Sequence, residues 1–151
     1  KIRLLMKKSV LSILTIILLL LVIFLFQQRS QDIKEVCIEN KACFQVEIAD
    51  SFAERGIGLS DWEFLSNDSG MLFVFPRNSV PSFWMRDMSF PIDIIWIDEN
   101  WKIVGIEKKL QPCQKECSIF YPTKEVKYVL ETNSGLAERY DFEEGDFVKT
   151  E

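Results

Sequence analysis

The chain has 151 residues, 48% hydrophobic and 13% aromatic, with a net charge of −5 and no histidine. The acidic balance argues against a nucleic-acid partner, which requires a basic stripe to displace counterions from phosphates. Without histidine, Ser-His-Asp and Cys-His catalysis and the histidine-based zinc motifs are excluded within this chain, and no cofactor motif replaces them.

From Val10 to Phe26 the chain is apolar apart from Ser12 and Thr15, with Lys7 and Lys8 before it and Gln27, Gln28 and Arg29 after. At helical rise this run covers about 25 Å, close to the hydrocarbon thickness of a bilayer. Lys1, Arg3, Lys7 and Lys8 outweigh Arg29 and Lys34, so the positive-inside rule puts the N-terminus in the cytoplasm. Residues 1–31 are thus expected to form a single-pass membrane anchor and the start of a stalk, and residues 32–151 an extracytoplasmic domain. Secretion after signal cleavage is the alternative. Against it, Leu25, Phe26, Gln27 and Gln28 supply no small residues for a cleavage site.

In an oxidising compartment Cys37, Cys43, Cys113 and Cys117 are expected to form disulfides. Cys37 and Cys43 flank the turn residues Glu39, Asn40 and Lys41, so a bridge across a hairpin is geometrically reasonable, and Cys113 with Cys117 would staple a loop. Pairing across the clusters is the alternative. The spacing does not match the Cys-x2-Cys of thiol oxidoreductases or of zinc sites.

Phe44, Val46 and Ile48 alternate with polar residues as a half-buried strand. Ser51 to Glu54 has the form of a capping box, with Asp50 as a competing cap, and Gly56 and Gly58 end the helix after about two turns. Ser66 to Gly70 is turn chemistry. Met71 to Phe75 is an apolar run, closed by Pro76, that predicts a strand covered on both faces. Ile92 to Ile97 and Trp101 to Ile106 flank Asp98-Glu99-Asn100 as a hairpin. Val126, Tyr128 and Leu130 alternate as a further strand, Asn133 or Ser134 caps a second short helix through Tyr140, and Phe147-Val148 closes the domain. About seven short strands with two brief helices predict a mainly β fold, an antiparallel sandwich or a partly closed barrel.

The segments Val46 to Leu59, Gly70 to Phe75, Ser82-Phe83-Trp84-Met85-Arg86 and Pro91 to Ile94 resemble domain-of-unknown-function family 192. Cys117 with Tyr121, Tyr128 to Glu131 with Gly135, and Gly145-Asp146 continue the resemblance over nearly the whole domain. It implies a compact β domain behind a signal or anchor segment and carries no established reaction. Asp87 and Met88 stand where family members usually have Asn and Thr, and Ser60 where Met is common, which changes the polarity of that edge.

Asp93 lies inside an apolar strand, where an ionised carboxylate must be paired, hydrogen-bonded or open to a cavity. Arg86 and Arg55 are candidate partners, and a structural ion pair or turn cap is the plainer reading. Glu131 poses the same choice. Met71, Phe73, Phe83 and Trp84 suit a core, yet their nearness to Arg86 and Asp93 allows an aromatic and charged groove. The candidate ligand set is therefore Met71, Phe73, Trp84, Arg86, Asp93 and Glu131. It supports a membrane-tethered binding or accessory module for a small molecule, sugar or peptide. The alternatives are a hydrolase using Asp93 with Glu131, and a scaffold that contacts another membrane protein.

Overall fold

The computed structural model describes residues 15–20 and 33–150. Residues 15–20 are helical, and the rest of the expected membrane span lies outside the described residues. No helix among the described residues is long and apolar enough to cross a membrane.

Residues 32–151 form one compact unit. Its elements run β1 (Ile33–Ile38), β2 (Ala42–Ala49), α1 (Phe52–Ile57), β3 (Ser69–Ser79), β4 (Phe83–Trp84), β5 (Ile92–Ile97), β6 (Ile103–Leu110), β7 (Ile119–Phe120), β8 (Val126–Asn133), α2 (Leu136–Arg139) and β9 (Val148–Thr150). The fold is mainly β, as expected, with nine strands among the described residues where the sequence predicts about seven. The added pieces are the short pair β4 and β7, too brief to show a period in sequence.

Seven strands form one sheet in the order β6-β5-β8-β3-β2-β1-β9. All its pairs are antiparallel except β2 with β3, which α1 connects. At the ends of this order the chain meets itself: Lys102 bridges Phe147, and Val148 N donates to Trp101 O at 2.8 Å. The sheet therefore curls into a half-barrel; the only other sheet among the described residues is the two-stranded β4-β7 pair, too small to make a sandwich. Val36, Ile38, Phe44, Val46, Leu72, Ile95, Ile97, Ile103, Leu130 and Val148 pack together, so all seven strands feed one core inside the curl. The opposite face of the middle strands carries Met71, Phe73, Ile94, Trp96 and Val129, covered by Leu59, Leu65, Phe83, Met85 and Met88 from the connections.

The first hairpin forms with Cys37 directly opposite Cys43, and both within-cluster disulfides, Cys37–Cys43 and Cys113–Cys117, are present. Ser51 is the cap of α1 and completes a capping box with Glu54. Three expectations change. β3 continues through Pro76 because its pairing with β8 is interrupted between Val74 and Ser79, where a proline costs no ladder bond. The same irregularity puts Val126 with the outer core while Tyr128 and Leu130 face the inner one. The second helix starts after Gly135, which has a left-handed backbone and no side-chain cap. Its cap comes from β5, where Asp93 Oδ2 accepts from Ala137 N at 2.9 Å.

Candidate functional site

A cavity of about 310 Å³ opens on the outer face of the sheet. One wall is α1 and the turn after it, Arg55 to Ser60; the other is Pro81 to Trp84 with Arg86, Asp87 and Met88. Phe73, Phe75 and Glu131 from the sheet lie between them. The turn can sit this low because Gly58 has φ +55° and no side chain, and a Cβ there would meet Phe73 at 3.2 Å.

Glu131 reaches the cavity by strand alternation. In β8 it lies directly opposite Met71 of β3 on one side and Ile94 of β5 on the other, so apolar neighbours flank it in the sheet. It is 5% exposed, and no hydrogen bond or ion pair holds its carboxyl among the described residues. Burial pushes its pKa up to about 8 from an ordinary value near 4.5, which keeps it a neutral acid at pH 7.

The two guanidinium groups differ. Arg55 Nη1 donates to Asp50 O and, at 2.9 Å, to Val74 O, and its guanidinium lies 5.3 Å from the centre of the Phe75 ring. That cation is fixed by backbone carbonyls and an aromatic face, with no carboxylate paired to it among the described residues. Arg86 is exposed, and among the described residues no ion pair or hydrogen bond engages its guanidinium. Its backbone is held instead. Arg86 bridges Cys113, and Cys113 N donates to Met85 O at 3.0 Å, so the Cys113–Cys117 loop is stitched to the strand behind Arg86. Trp84, 49% exposed, stands opposite Ile119 in the small β4-β7 sheet, which supports this wall from behind. Asp87, also lining the cavity, has φ +60°.

Of the sequence candidates, Phe73, Trp84, Arg86 and Glu131 line this one cavity. Met71 packs in the outer core beside Glu131 without lining it. Asp93 is separated from the group. It is fully buried, on the inner side of the sheet, and its carboxylate accepts from Lys109 N at 2.7 Å and Ala137 N at 2.9 Å. Neither Arg86 nor Arg55 pairs with it. Because Asp93 opposes Thr132 and Glu131 opposes Ile94, the two carboxylates leave opposite faces of the sheet, and the pair cannot flank one scissile bond. Phe75, Phe83, Met88 and the Arg55 to Ser60 turn complete the lining. The turn has a signal in the sequence, Arg55 in the last turn of a short helix with Gly56 and Gly58 after it; Phe75, Phe83 and Met88 have none.

The profile of the DUF192 family, described as "Uncharacterized ACR", matches residues 34–150. A UPF0127 protein of Pyrococcus horikoshii is 31% identical over 110 residues, which cover 70% of this chain and 86% of that one. A UPF0127 protein of Thermococcus gammatolerans is 33% identical over 106 residues, 68% of this chain and 64% of the other. Among solved structures, a protein of unknown function from Novosphingobium aromaticivorans superposes with a TM-score of 0.70 at 28% identity, covering 76% of this chain and 83% of that one. A Sinorhizobium meliloti protein described as a candidate transcription regulator gives 0.74 at 26% identity, covering 82% and 97%. With the profile matched from the first hairpin to the last strand, the chain belongs to the DUF192 family, whose named relatives are UPF0127 proteins.

Proposed function

We propose that the domain is a binding module for a small organic anion, held at the cell envelope by the N-terminal apolar segment. One observation carries the reading: Arg55 and Arg86, two guanidinium groups with no carboxylate partner among the described residues, line the same aromatic cavity. With Glu131 neutral, the two guanidinium groups of the lining outnumber its one other acidic side chain, Asp87, so an oxyanion is favoured there. The volume of about 310 Å³ suits a small molecule, and Phe75, Phe83 and Trp84 supply faces for its apolar part. The tether reading rests on the length of the apolar run and its flanking charges. The regulator description of the Sinorhizobium protein is not carried over, since a net charge of −5 gives no support to nucleic-acid binding.

The test is a titration of the isotope-labelled domain with pentanoate, with glucose as a neutral comparison. Pentanoate is expected to move the amides of Arg55 to Ser60 and Ser82 to Met88, and Arg86→Gln to weaken it by about tenfold, the worth of one charge-assisted hydrogen bond. Pentanoate binding elsewhere, or glucose filling the same site as well, would sink the proposal.

A further inference from the structure

Glu131 makes the cavity two-ended. At the rim stands Arg86, exposed and with no ion pair or side-chain hydrogen bond among the described residues; at the floor, the buried Glu131 lies between Met71 and Ile94 in the sheet and shares the cavity lining with Phe73 and Phe83. A purely anionic ligand uses the first and finds at the other end a carboxyl whose ionised form would repel it. Aromatic rings beside a carboxylate are instead the surroundings that stabilise an organic cation, through ring quadrupoles and a desolvated ion pair. We infer that the cavity takes a zwitterion, its ammonium group seated against Glu131 among the aromatic rings and its carboxylate against Arg86 at the rim.

This inference rests on the anion-binding reading and adds the second pole. Among the described residues, the charged groups that share the cavity lining with Glu131 are Arg55 from α1, and Arg86 and Asp87 from the segment after β4. The strands on either side present only Met71 and Ile94. In the empty cavity the carboxyl is protonated at neutral pH; seating an ammonium group ionises it, and its proton passes to the buffer. The ion pair replaces a neutral acid that has no partner among the described residues, so selectivity for the two-ended molecule is built into the floor.

The experiment compares 5-aminovalerate with pentanoate and pentylamine, which share its carbon frame and each keep one pole; 4-aminobutyrate and 6-aminohexanoate vary the spacing. Calorimetry at pH 7 in two buffers of different ionisation enthalpy reads affinity and proton release together. The best-fitting amino acid is expected to bind at least about tenfold more tightly than either one-pole analogue, with close to one proton released. Glu131→Gln should abolish the proton release and the advantage over pentanoate. Arg86→Gln should abolish the advantage over pentylamine. If pentanoate matches the amino acids and no proton is released, the zwitterion inference fails and anion binding stands. If pentylamine matches them, the rim contact fails and both readings fall. An advantage that persists in Glu131→Gln overturns the inference by placing the ammonium elsewhere, and no binding by any probe at millimolar concentration overturns both.

Discussion

Glu131 and Asp93 are both buried carboxylic acids in neighbouring strands, yet they make opposite contributions to stability. Asp93 accepts two backbone N–H bonds, so removing it strands the amides of Lys109 and Ala137. Asp93→Ala is expected to cost roughly 2–4 kcal/mol in urea unfolding and to leave the cavity face of the folded domain unchanged. Glu131 has no such compensation. Its folded pKa of about 8 lies above the ordinary value near 4.5, so its burial penalty is absent below the lower figure, grows as pH rises between the two, and levels off above about 8. At about 1.4 kcal/mol per unit this amounts to a few kcal/mol. The melting temperature of Glu131→Gln should therefore exceed that of the parent chain by an amount that grows between pH 5 and pH 8; a constant difference would contradict the buried acid. Sequence showed that both residues needed an explanation, because each is acidic within an apolar strand. It could not say which face Asp93 takes, since a strand buried on both sides lacks the alternation that would reveal it, and so could not show that the two point apart.

At the scale of elements, the Cys113–Cys117 loop carries the wall behind Arg86 through the Cys113 to Met85 hydrogen bond and the Arg86 bridge. Replacing both cysteines by serine opens a very short loop, worth about 2 kcal/mol in chain entropy. The loss should be local. Amide exchange is expected to quicken at Met85 to Asp87 and Cys113, while the inner-core amides of β1 and β2 keep their protection; uniform acceleration would mean that the loop supports the whole fold. The disulfide pairs, the capping box of α1 and the β5-β6 hairpin were legible because each is decided within a few residues. The helix cap on α2 was not, since it comes from Asp93, 44 residues away in sequence. The passage of β3 through Pro76 was hidden for a related reason: only the partner strand shows where a ladder is interrupted.

For the whole molecule, the apolar run from Val10 to Phe26 and its basic flank predict that the full chain sediments with membranes and leaves them only in detergent, whereas residues 32–151 alone remain in the supernatant. Recovery of the full chain in the supernatant at high salt would refute the tether. The half-barrel itself was only partly readable, because curl depends on how the two ends of a seven-stranded order meet. That meeting, at Lys102 and Phe147, has a consequence for behaviour in crowded solution. An open sheet exposes unpaired amides along its outermost strands, and these can template strand addition by another copy. Here one end, β9, is only three residues long and contributes Lys149, and the other, β6, is occupied at its start by the seam. The remaining length of β6 carries Glu107, Lys108 and Lys109, with Lys109 in a left-handed kink that Asp93 holds from within. The residue that drew attention as a binding candidate thus also holds the kink in the sheet's longest outer strand, which makes that strand a poor template for aggregation.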